Sequence, residues 1–102
     1  MARVAWTARL KADKIEAYVE AHAAVWPDVL DAIRAAGIRD YSIWLWGDRV
    51  FAQYDSDDPE ASRQLEAAAE ATQRWRAVMR EYFADDVVND GVTWLEEIFR
   101  LE

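Results

Sequence analysis

The 102-residue sequence has no cysteine, one histidine, two prolines and three glycines. Without cysteine there are no disulfides, thiolate nucleophiles or thiolate metal ligands, and the lack fits an intracellular, cytoplasmic protein. A lone imidazole falls short of the two or more that zinc or iron centres ordinarily recruit, so no metal is expected. The glycines are scattered and form neither a P-loop nor a dinucleotide-binding turn, and no cofactor is expected. No apolar run approaches the about 20 residues of a membrane helix. Arg3, Arg9 and Lys11 interrupt anything resembling a signal peptide. Basic residues are the minority: 12 against 20 acidic ones give a formal net charge of −8. Such a chain is repelled by phosphate backbones and anionic membranes, so neither nucleic acid nor membrane is an expected partner. The acidity reads as solubility.

What the sequence does have is 53% hydrophobic residues and six tryptophans. That is enough for one core, and residues 1–102 read as a single domain. Residues 2–10 alternate, with Val4, Trp6, Ala8 and Leu10 on one side, as in a half-buried strand. From residue 11 the period becomes helical through Ile15, Tyr18, Val19, His22 and Trp26, with Asp13 as the expected cap. Pro27 breaks or kinks that helix. Val29, Leu30 and Ile33 carry it on to Gly37, which closes it. Residues 40–46 and 50–54 alternate around Gly47-Asp48 and read as a hairpin, with Tyr41, Ile43 and Leu45 opposite in face to Trp44 and Trp46. Ser56-Asp-Asp-Pro-Glu60 starts a second helical segment reaching Phe83, with a break expected near Ala71-Thr72. Residues 84–92 read as an exposed loop and residues 94–101 as the last strand. The order is βαββαβ, an α+β ferredoxin-like plait with both helical segments on one face of an antiparallel sheet. The other face is left bare, and a second copy of the chain is its natural cover.

His22 is the one side chain whose ordinary pKa, about 6.5, allows proton exchange near neutrality. Tyr18 lies four residues earlier, on the same helical face. A histidine on an apolar helix face is more often a hydrogen-bonded core residue than a functional one. The phenol one turn away favours function, because the two side chains could hold a hydroxylated ligand between them. Tyr41 gains interest only if its strand face is the helix-covered one. Aromatic walls, phenols and one imidazole suit a neutral polyol better than a nucleotide. Ser42, Ser56 and Ser62 lack a nucleophile signature.

His22-Ala-Ala-Val-Trp-Pro-Asp28 preceded by Tyr18, the block Gly37-Ile-Arg-Asp-Tyr-Ser-Ile-Trp-Leu45, Gln73-Arg-Trp75 with Met79, and Glu96-Glu-Ile-Phe-Arg-Leu101 together resemble the L-rhamnose mutarotases over nearly the whole chain. The resemblance implies a homodimeric plait of dimeric α/β-barrel type. It implies an isomerase that interconverts the α and β anomers of L-rhamnose, or of a related 6-deoxyhexose such as L-fucose, without metal or cofactor. It assigns His22 as proton donor and places Tyr18 and Tyr41 against the sugar. The family's tryptophan pair falls on Trp75 and Arg76, so an arginine fork replaces the second indole wall. Two other readings of the same architecture remain: a cofactor-free monooxygenase or haem-degrading plait enzyme, and a non-catalytic sugar-binding domain.

Overall fold

The computed structural model describes residues 2–101. Its frame is a four-stranded antiparallel sheet. The inner strand β1 (Ala2–Arg9) pairs with β3 (Arg49–Ser56) on one side and β4 (Thr93–Leu95) on the other, while β2 (Arg39–Trp46) flanks β3. The spatial order β2-β3-β1-β4 is that of the expected plait. Register sorts the side chains into two faces. Val4, Trp6 and Ala8 stand opposite Tyr54, Ala52 and Val50. Trp6, Ala8, Val50, Ala52 and Tyr54 form the core with Tyr18 and Met79 from the helices and Ile38 from the turn before β2, and Val4 packs against them. Thr7, Phe51 and Trp44 fall on the other face, one residue out of phase.

Each helical segment of the plait is broken once. The first consists of α1 (Ile15–Ala23) and α2 (Pro27–Ala35), separated by an extended turn. Pro27 starts α2, and Trp26, held extended (φ −58°, ψ 135°), precedes it as proline's ring demands. Asp13 does not cap α1: Lys14 occupies the cap position and no side chain bonds the free amides. The second segment consists of α3 (Pro59–Ala68) and α4 (Glu70–Met79). Asp58 caps α3 by accepting from the Ala61 N–H at 3.2 Å. The break falls at Ala69, not at Ala71-Thr72; this one extended residue ends α3 and begins α4.

A buried hydroxyl relay ties the layers together. Ser62 Oγ donates to the Ala36 carbonyl at 2.6 Å, because a carbonyl can only accept. Ser56 Oγ therefore donates to Ser62 Oγ, also at 2.6 Å, and accepts from the Asp58 N–H at 3.1 Å. Gly37, at φ +81°, makes the turn that brings the end of α2 down to this relay.

Two further sequence expectations change. Residues 84–92 are not simply a loop, since they contain the short helix α5 (Asp85–Asp90), with acids in its first turn and Gly91 at φ +76° closing it. The last strand covers three residues, not eight: pairing stops at Leu95, and the rest of the segment has no strand partner among the described residues. Ile98 and Phe99 there are 92% and 80% exposed.

Candidate active site

The helix-covered face of the sheet encloses an open cavity of about 1140 Å³, walled by Tyr18, His22, Tyr41, Glu66, Trp75 and Arg76 among others. Trp6 on β1 and Tyr54 on β3 contribute to the wall from the sheet. A smaller concavity of about 450 Å³ near Arg9 and Asp48 contains none of the candidate residues.

α1 places Tyr18 and His22 one turn apart, with ring centroids 4.2 Å from each other. His22 Nδ1 lies 2.8 Å from the Tyr18 carbonyl oxygen. That oxygen can only accept, so Nδ1 carries a hydrogen and Nε2 is left with the lone pair in the neutral ring. One backbone contact therefore fixes both tautomer and ring orientation. Burial lowers the His22 pKa and the contact to the carbonyl offsets part of that effect, so the ring is predominantly neutral at neutral pH. The Tyr18 phenol is raised by burial to about 12. Tyr41 is raised further still, first by burial and then by the Glu66 carboxylate. Both phenols therefore keep their protons well above neutrality.

Tyr41 reaches this face because β2 contains a bulge. Arg39 stands opposite Asp55, and Ser42 stands opposite Gln53, so β2 spends one residue more than β3 between these pairs. Strict alternation from Arg39 would have turned Tyr41 towards the bare face with Gln53. The extra residue, with Asp40 in the left-handed region at φ 52°, reverses the phase. Tyr41 then packs on Tyr54 with centroids 5.2 Å apart.

The run Gln73-Arg-Trp-Arg76 is spread around the same wall, and each member has a separate job. Gln73 Nε2 donates to the Ala67 carbonyl at 3.3 Å, satisfying an acceptor beside the break at Ala69. Arg74 bonds Asp28 at 2.5 Å and Glu70 at 2.8 Å, tying the start of α2 to α4. Trp75 presents an edge-to-face contact to His22 at 5.5 Å and another to Trp26 at 5.1 Å. Arg76 donates to Glu66 at 3.0 Å across the helix break. The Trp-Pro-Asp and Gln-Arg-Trp motifs thus meet in space, Trp26 on Trp75 and Asp28 on Arg74. All five residues singled out from the sequence, Tyr18, His22, Tyr41, Trp75 and Arg76, line one cavity.

Glu66 was not among them. It lies on α3, its side chain is 17% exposed, and burial raises its pKa while Arg76 opposes that shift. A glutamate in an alanine-rich helical stretch carries no signal of burial. Its partner lies ten positions away, across a break the sequence misplaces.

The sheet order, the layer of broken helices and a cavity with one imidazole and several phenols define a class: a ferredoxin-like plait with an aromatic, hydroxyl-lined cavity on its covered face. The sequence pattern of the family described as L-rhamnose mutarotase matches residues 3–101. The L-rhamnose mutarotase of Burkholderia orbicola is 36% identical over 100% of both chains. That of Klebsiella pneumoniae subsp. pneumoniae is 31% identical over 99% of both. In fold, the chain is similar to the L-rhamnose mutarotase of Formosa agariphila, with TM-score 0.82, 24% identity and 100% of both chains covered. It also resembles a dimeric ferredoxin-like protein from an uncultured marine organism, with TM-score 0.60, 11% identity and coverage of 98% and 96%. The chain belongs to the L-rhamnose mutarotase family, whose members are carbohydrate isomerases.

Proposed function

We propose that the cavity over the covered sheet face is where this chain interconverts the α and β anomers of L-rhamnose, with His22 as the proton-transfer group. The observation that carries the reading is the contact from His22 Nδ1–H to the Tyr18 carbonyl, which leaves Nε2 as a base in a cavity walled by phenols and indoles. Neutral Nε2 takes the proton from the anomeric hydroxyl. The C1–O5 bond breaks, the ring oxygen receives a proton, and C1 becomes an aldehyde. After rotation about C1–C2 the C5 hydroxyl attacks the other face of the carbonyl and returns its proton to the group that supplied it. The imidazolium then returns its proton to the anomeric oxygen, so His22 is base in one direction and donor in the other. Tyr18 and Tyr41, as neutral phenols, donate to sugar oxygens, and either can supply the ring-oxygen proton directly or through water. Trp75 offers its indole to the C–H surface of the pyranose, and Arg76 completes the wall.

The functional unit in this proposal is a homodimer. The bare sheet face presents Trp44 and Trp46, 64% and 78% exposed, and the exposed residues Ile98 and Phe99 follow β4 without a strand partner. The similar fold of a protein described as dimeric supports a second copy as the cover.

Exchange NMR between the two anomeric protons of L-rhamnose tests the activity. The wild type should accelerate exchange, and His22→Ala should lose that acceleration. Loss in Tyr18→Phe with full activity in His22→Ala would overturn the assignment.

A further inference from the structure

Arg76 is half exposed, and Glu66 is the more deeply placed member of their pair, both on the wall of the cavity. Arg76 Nη2 occupies only Glu66 Oε1, and among the described residues no other side chain donates to this carboxylate. Oε2 is therefore available as an acceptor, and four of the five guanidinium hydrogens remain as donors. Thr72, one turn before Arg76 on the same helix, also lines the cavity, is 4% exposed, and its hydroxyl has no hydrogen-bond partner among the described residues. Three polar side chains with unspent hydrogen-bonding capacity thus gather on one wall, while Trp75 presents an indole beside them. A partly buried pair with spare acceptor and donor sites matches a vicinal diol: one hydroxyl donates to the carboxylate and its neighbour accepts from the guanidinium.

We propose that Glu66 and Arg76 act together as a clamp for two adjacent hydroxyls of the bound pyranose, with Glu66 as a specificity-determining residue. This rests on the cavity being the mutarotase site. Glu66 performs no proton transfer; it accepts from a sugar hydroxyl and aims the Arg76 fork. An enzyme with this clamp discriminates by hydroxyl pattern on that wall, where an indole would discriminate by apolar contact.

The test is anomer-exchange NMR on the full chain with L-rhamnose and with analogues each lacking one ring hydroxyl, for the wild type, Glu66→Gln and Arg76→Lys. In the wild type, deleting either clamped hydroxyl should raise KM at least about tenfold. Glu66→Gln should raise KM for L-rhamnose by about tenfold, with a smaller change in kcat, and should shrink the penalty for the same missing hydroxyl. Arg76→Lys, which keeps the charge but not the fork, should show the same non-additivity. A pair that only ties α3 to α4 would lower the thermal midpoint in both variants and leave KM and the analogue penalties unchanged. That result overturns the clamp, as does a wild type indifferent to every single-hydroxyl deletion. Failure of the wild type to accelerate L-rhamnose exchange would instead remove the functional reading, and the clamp with it.

Discussion

The two faces of the sheet use the same aromatic vocabulary for different ends. On the covered face, Trp6, Trp75 and Trp94 share a wall with phenols, an imidazole and an ion pair. On the bare face, Trp44 and Trp46 stand opposite Phe51 and Arg49 with no helix above them. What separates the two surfaces is the polar company of their aromatic residues and its orientation. His22 is held by a backbone carbonyl, Tyr41 is turned inwards by a bulge, and Glu66 is paired with Arg76. On the bare face the exposed indoles of Trp44 and Trp46 suit a broad dry contact.

The contrast can be broken most severely at His22. His22→Ala should cut kcat by about 10²–10⁴-fold, the usual contribution of a positioned acid–base group, and leave the sedimentation coefficient unchanged. Lowering the pH should imitate that loss reversibly. Burial depresses the His22 pKa and the neutral ring is the active form, so kcat/KM should hold steady above the depressed value and fall about tenfold per unit below it. A profile that rises on acidification would contradict the assignment. The same shift contributes to stability above the unfolded value of about 6.5, and that contribution is lost as pH falls from there through the folded value. Glu66, raised by burial, has the opposite sign: its contribution is present below 4.5 and is lost as pH rises through its folded value.

The bare face is sharpened by a different substitution. Trp44→Ser with Trp46→Ser should shift sedimentation from dimer towards monomer while the chain remains folded, because neither indole belongs to the core. A double variant that stays dimeric would place the contact elsewhere. The smallest effect concerns the relay beneath the helices. Ser62→Ala should cost about 1–3 kcal/mol in denaturant unfolding, because it strands the Ser56 hydroxyl and the Ala36 carbonyl. It should leave KM for the sugar near the wild-type value, since Ser62 lies outside the cavity wall.

The plait was legible because residues 2–10 and 40–54 alternate cleanly and the turn and cap residues Gly37, Gly47, Asp58 and Pro59 sit where the elements change. Tyr18 and His22 were legible as a pair because helical spacing is local. Contacts made across the fold were not legible. The bulge at Asp40 depends on how β2 registers against β3, and the sequence carries no count of the partner strand. The sequence points to a break two residues beyond the observed one, because Ala69 looks no different from its alanine neighbours. The pairing of Asp28 with Arg74 depends on how α2 and α4 lie side by side, which neither local motif states. Glu66 went unnoticed for the same reason. The last strand read as long because its alternation is real, yet the isolated chain pairs only three of its residues.

Exchange NMR between the α and β anomeric protons of L-rhamnose, with wild type and His22→Ala side by side at neutral pH, tests the central claim most directly. The wild type should accelerate exchange, and the variant should fall to the uncatalysed rate while both remain folded. Equal acceleration by both proteins would contradict it.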